Sequence, residues 1–177
     1  MKITTIGLLL GAGCITLLSG SPALAFDIYG FGSYWDKDET DGQWGGGVGL
    51  SLPLFTEYIR LDGRAYFFEN STLGEDDELT LLPTDLGIQL HLFPDSMFDP
   101  YVLGGVSYIY ADADRIDVGS DYGSYVGGGL ECDIFYTKTL KLFGEVVYRF
   151  HELEIEGGDD DIDISGITGN VGLKIHF

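Results

Sequence analysis

Three histidines, a run of aspartates and one cysteine outside the N-terminal apolar run are the residues of this 177-residue chain that could do chemistry. Nucleophilic catalysis needs a hydroxyl or thiol beside a histidine that an acid orients. His91 is followed by Leu-Phe-Pro, His151 by Glu-Leu-Glu and His176 by Phe177, so none has a nucleophile next to it. Arg149, His151 and Glu152 form the one grouping worth naming, and a packed charge pair with a rim histidine accounts for it. The stretch "GGDDDID" holds Asp159, Asp160, Asp161 and Asp163, oxygen ligands that suit Ca²⁺ or Mg²⁺ and make it a weak metal candidate. A solvated, self-repelling loop explains the same residues. "DKDETDG" begins like a calcium loop, but Gly42 falls one place late and the twelfth position is Gly47 instead of a bidentate Glu. No residue set suggests a catalytic centre or a cofactor.

Charge and cysteine use narrow the class further. The chain carries 29 acids against 9 Lys and Arg, a net charge of −20, which argues against nucleic acid as a partner because phosphate binding needs clustered bases. The N-terminus reads as an export signal: Lys2, an apolar run from Ile6 to Leu18, then "SPALA" with small residues at Ala23 and Ala25. Cleavage after Ala25 leaves one domain, residues 26–177. Cys14 departs with the signal and Cys132 stays alone, so an exported domain has no internal disulfide to stiffen it.

What could position the remaining charges is a set of strands. Period-two alternation recurs in eight segments, roughly 26–35, 44–54, 57–68, 79–92, 100–111, 122–135, 140–151 and 164–177. Most are longer than the ~5–6 residues usual in soluble sheets and match the ~9–11 that a tilted strand needs to cross a bilayer. Odd-numbered connections are acidic: residues 36–42, 69–78, 111–121 and 152–163 hold 20 of the 29 acids and only Lys37 and Arg115 among the bases. Even-numbered connections are shorter or more apolar. Up-and-down connectivity gathers alternate loops at one end, so one end is strongly anionic.

The faces decide what the strands enclose. In residues 57–68, Ile59, Leu61, Ala65 and Phe67 alternate with Arg60, Asp62, Arg64 and Tyr66; residues 79–92, 122–135 and 140–151 repeat the pattern. The polar face collects Arg60, Arg64, Lys141, Arg149 and Lys174 with Asp62, Asp85, Glu131, Asp133 and Glu145, five bases and five acids. Such balance is expected where charges are enclosed, because an unpaired buried charge costs several kcal/mol. An eight-stranded barrel has an interior just wide enough to be filled by side chains. The charges therefore belong inside as a paired plug, with glycines at 45, 47, 49, 127, 129, 166 and 172 leaving them room, and the aliphatics belong in lipid. Two aromatic bands flank the aliphatic zone. Tyr34, Trp35, Trp44, Phe67, Phe68, Tyr108, Tyr110, Tyr148 and Phe150 fall near the acidic end; Phe55, Tyr58, Phe93, Phe98, Tyr101, Phe135, Tyr136 and Phe177 fall near the other. A soluble barrel with its aliphatic face inward is the alternative. The segments 26–35 and 100–111 are apolar on both faces and leave their orientation open.

With "FDIYGFGSYW" after the "ALA" site, "FDPYVLGGVSYIY" starting the fifth strand and "GNVGLKIHF" last, the chain resembles the small eight-stranded outer-membrane barrels of the OmpA and OmpX type, porin-like β-barrel domains of the Gram-negative envelope. The resemblance covers the whole of residues 26–177. It implies termini in the periplasm, acidic loops outside the cell, and Val171, Leu173, Ile175 and Phe177 as a signal read by the barrel-assembly machinery, with Ile175 where an aromatic is common. Outer-membrane lipid and lipopolysaccharide would be its surroundings, and its surface partner stays unnamed. A few such barrels modify lipid A, but the His-x-Ser-Asn arrangement of the deacylases is absent. The expected role is non-enzymatic, envelope-structural or surface-interacting, with a narrow channel for small solutes or apolar molecules as the alternative.

Overall fold

The computed structural model describes residues 25–37, 42–72, 78–113, 121–134, 139–153 and 162–177. Residues 1–24, most residues of the acidic connections with Asp159, Asp160 and Asp161 among them, and Phe135 and Tyr136 lie outside the described residues. Ten strands follow one another: β1 (Asp27–Lys37), β2 (Gln43–Thr56), β3 (Ile59–Thr72), β4 (Glu78–His91), β5 (Phe98–Ala113), β6 (Asp121–Asp133), β7 (Leu140–Phe150), β8 (Glu152–Leu153), β9 (Ile162–Asp163) and β10 (Gly166–His176). Eight of them close an antiparallel barrel in the order β1-β10-β7-β6-β5-β4-β3-β2. Closure matters physically, because it leaves no row of unpaired N–H and C=O groups at membrane depth. β8 and β9 make a short separate ribbon, Glu152 opposite Asp163 and Leu153 opposite Ile162, continuing the β7–β10 hairpin beyond the wall.

Seven of the eight barrel pairings join barrel strands that are consecutive along the chain. The exception joins β1 to β10, in register from Asp27↔His176 to Lys37↔Gly166. Phe26 and Phe177 extend that seam: the Phe177 N–H donates to the Phe26 carbonyl at 2.9 Å, and the two rings stack with centroids 4.9 Å apart. Phe177 of the turn-end aromatic band therefore has Phe26 as a cover on one side, although 59 % of it stays exposed.

The aliphatic residues point outward and the charges inward. Val48, Leu86, Val102, Val106, Val126, Val146 and Val171 are exposed on the wall, while the interior is filled. Orientation of the two ambiguous strands is also fixed. β1 turns Asp27, Tyr29, Phe31, Ser33 and Trp35 inward; β5 turns Asp99, Tyr101, Leu103, Ser107 and Ile109 inward. Three residues of the expected aromatic bands are thereby corrected. Trp35, Phe68 and Tyr101 are core residues, Trp35 and Phe68 wholly buried. Their positions in the alternation put them on the lumen side, and ring type alone does not place a residue at the membrane interface. The outward rings at the acidic end do form pairs, Tyr34–Trp44 and Tyr108–Tyr122 across strands at 4.9 Å and Tyr148–Phe150 along β7 at 4.8 Å.

Inward glycines serve rings more than charges. Built out by a Cβ, Gly49 would strike the Tyr29 ring, Gly47 the Phe31 ring, and Gly129 the Tyr101 ring at 2.5 Å. Each ring approaches the bare backbone of a neighbouring strand more closely than a Cβ would allow. That close approach is what requires glycine at these positions.

Candidate functional site

The site is the barrel interior, and β7 orders it from the turn end to the acidic-loop end: Lys141, Phe143, Glu145, Val147, Arg149. At the turn end, Asp27 accepts from Arg60, lies 2.6 Å from His176 Nδ1 and 4.0 Å from Lys174 Nζ. Arg60 also reaches the half-exposed Glu57 at 2.9 Å. Glu131 accepts from Lys174 through Oε1 and from Lys141 through Oε2 at 3.1 Å. Asp99 accepts the Phe93 N–H at 2.9 Å, and its other oxygen lies 2.7 Å from His91 Nδ1. Asp133 is only half-buried, opposite Lys141 in the register.

At mid-height Arg64 is the hub. It donates to Asp62 and to Glu145, and Glu145 takes two further bonds, from Tyr101 at 2.7 Å and Asn170 at 2.8 Å. Tyr29 donates to Asp62 at 2.5 Å. Higher still, Arg149 binds Asp85 with both terminal nitrogens, at 2.9 and 2.8 Å, and Nε donates to Thr168 at 3.2 Å. Its guanidinium stacks over Tyr66, 4.5 Å from the ring centroid, with Trp35 and Tyr125 beyond. Ser107 completes the Asp85 shell at 2.6 Å. Carboxylates saturated in this way can remain ionised away from water.

Beyond Arg149 the ion pairs end, and the buried polar residues there are Gln43, His151 and Ser165. Trp35, Phe68, Ile109 and Ile164 pack with the rings of Tyr29, Phe31, Tyr66 and Phe143 into one apolar cluster. Ile164 arrives from the base of the ribbon, where its N–H donates to the His151 carbonyl at 3.1 Å. The lumen thus holds a paired-ion column with an apolar cluster running alongside it to the loop end.

Nine of the ten charged residues singled out from the sequence are buried in the interior, with Asp133 at its margin. Two acids were missed, Asp27 and Asp99. Asp27 opens β1, the strand whose alternation was unreadable, and Asp99 stands beside a proline at a strand start. Parity with Tyr29 and Tyr101, once those rings are inward, is the signal that identifies both. The three histidines stay apart: His91 and His176 at the turn end with carboxylate partners, His151 buried at the other end. Asp163 lies in β9. Val171, Leu173, Ile175 and Phe177 all point outward.

Known proteins agree with this architecture. The barrel is similar to OprG from Pseudomonas aeruginosa (16% identity, 89% of this chain and 98% of that one, TM-score 0.69). It is similar also to Neisserial surface protein A (10% identity, 90% and 100% covered, TM-score 0.68) and to Escherichia coli outer membrane protein W (14%, 89% and 100%, TM-score 0.59). At these identities the likeness is one of fold. No curated protein matches the sequence. Residues 8–175 match the family model described as the outer membrane protein beta-barrel domain, and the chain belongs to that family, a small eight-stranded barrel of the outer membrane.

Proposed function

We propose that this is a sealed, non-enzymatic barrel that anchors acidic loops at the outer face of the outer membrane, in an envelope-structural or surface-interaction role. The observation that carries the proposal is the filled lumen: each buried carboxylate is matched by a cation or histidine, and large apolar side chains, Trp35, Phe68, Ile109 and Ile164, are buried towards the loop end. A wide aqueous path needs uncommitted polar side chains around open space, and the column leaves little of either.

In this reading the turn end faces the periplasm, residues 1–25 are removed on export, and the outward stripe of Val171, Leu173, Ile175 and Phe177 is read by the barrel-assembly machinery. The loop sequences, with 20 acids and two bases, favour cationic partners, including divalent ions bridging to lipopolysaccharide phosphates. Planar-bilayer recording of the purified protein tests the seal. Brief, small events or none are expected; a steady, large open state would overturn it. Mass spectrometry of lipid A from cells with and without the protein tests the non-enzymatic part, and a lost acyl chain would sink it.

A further inference from the structure

Six carboxylates are enclosed in the interior, Asp27, Asp62, Asp85, Asp99, Glu131 and Glu145, against five Lys and Arg side chains, Arg60, Arg64, Lys141, Arg149 and Lys174. Five of the six acids have a Lys or Arg partner within the column. Asp99 has none among the described residues. Its only cationic candidate is His91, whose Nδ1 lies 2.7 Å away. We propose that His91 is a proton-binding site of the plug. Protonated, it is the sixth cation and neutralises Asp99; deprotonated, it leaves Asp99 as an enclosed carboxylate with no counter-ion, and the turn end loosens. Histidine is the side chain whose charge ordinarily changes between pH 5 and 8.

The surroundings fit a proton. On its own strand, Gln89 presents Oε1 3.1 Å from His91 Nε2. From β5 come Asp99 and the Tyr101 ring, stacked on the imidazole at 5.1 Å. From β6 comes Glu131, whose ligand oxygen lies with those of His91 and Asp99 inside a 4.8 Å group. Lys141 of β7 and Lys174 of β10 hold Glu131 from behind, and Arg60 of β3, in register with Gln89, is committed to Asp27 and Glu57. One histidine and two carboxylates could also hold a divalent metal. Both Glu131 oxygens, however, already accept from lysines, and Asp99 is held by an N–H and the imidazole. A metal would have to displace them, whereas a proton uses the geometry as it stands. Tyr101 then carries the state of His91 onward, since its hydroxyl bonds Glu145 of the Arg64 hub.

This inference rests on the packed plug proposed above, but its test reads stability and not permeation, so a conducting lumen and an inert His91 give separate results. The protein, refolded in phosphatidylcholine vesicles, is heated at about pH 5.5 and about pH 8.5, and the temperature of the heat-modifiable gel shift is read. Wild type should convert at the higher temperature in acid. Because the loops also lose repulsion in acid, the decisive quantity is the difference between wild type and variants. His91→Gln and, as a second route, Asp99→Asn should each shrink the pH difference, while His176→Gln keeps it. Ring ¹⁵N shifts of His91 should move between charged and neutral forms over the same interval. Variants that retain the full wild-type difference would overturn the assignment. So would stoichiometric Zn²⁺ shifting the His91 ring signals as a bound ligand does.

Discussion

Replacing Arg149 by methionine removes the charge but keeps an unbranched side chain of similar reach. Arg149 is wholly buried and holds Asp85 with two bonds of 2.9 and 2.8 Å. After the change Asp85 keeps only Ser107 at 2.6 Å. Breaking one side of a buried pair costs about 3–5 kcal/mol, because the remaining charge has no partner. At about 1.4 kcal/mol per tenfold, the folded-to-unfolded ratio should fall by roughly two to three and a half decades. Adding Asp85→Asn removes the stranded charge while leaving Ser107 a partner, so the double variant should recover at least ~2 kcal/mol of the loss. Reversible urea titration in lipid vesicles measures this, with tryptophan fluorescence as the signal; Trp35 lies over the Arg149 guanidinium at 5.7 Å and reports from the spot. A single variant within about 1 kcal/mol of wild type, or a double variant no better than the single, would refute the claim that the column is held by paired charge.

Three further outcomes are expected. Gly49→Leu, which drives a side chain into the Tyr29 ring, should cost about 1–3 kcal/mol in the same titration, whereas Gly63→Ala, whose Cβ meets nothing within 4 Å, should be neutral or slightly stabilising. Val126→Arg, on the lipid face, should cost about 2–4 kcal/mol if it lies near the membrane midplane, and Trp44→Arg in the outer aromatic band much less. Phe177→Ala should slow assembly in cells, read as accumulation of the unfolded gel form, more than it lowers the stability of the finished barrel, because the ring is mostly exposed and its ring partner among the described residues is Phe26.

Legibility of the fold followed the polarity contrast along each strand. β3, β4 and β7 announce themselves, because Arg60, Asp62 and Arg64, or Lys141, Glu145 and Arg149, alternate with aliphatics. β1 and β5 conceal their orientation, since their inward positions hold Tyr29, Phe31 and Trp35, or Tyr101, Leu103 and Ile109, which are as apolar as the lipid side. The missing clue lay on other strands. Gly47 and Gly49 are level with Phe31 and Tyr29, and Gly129 with Tyr101, and only a pairing register reveals a glycine waiting beneath a ring. The same concealment kept Asp27 and Asp99 out of the interior set and put Trp35 and Tyr101 in the membrane bands, whereas Phe68 shares the inward parity of Arg64 and Tyr66 on the legible β3 and ring type alone put it there. The β8–β9 ribbon escaped because its residues sit in a stretch whose acidity outweighs its weak alternation.

The seam between β1 and β10 carries a consequence for chain connectivity. Residues 26 and 177 are already joined through main-chain bonds and ring stacking, so a short linker could fuse them without moving either strand. A chain joined there and cut instead within one of the acidic connections would inherit every barrel strand pairing. The closed wall is thus set by its eight strand pairings, whichever connection is cut.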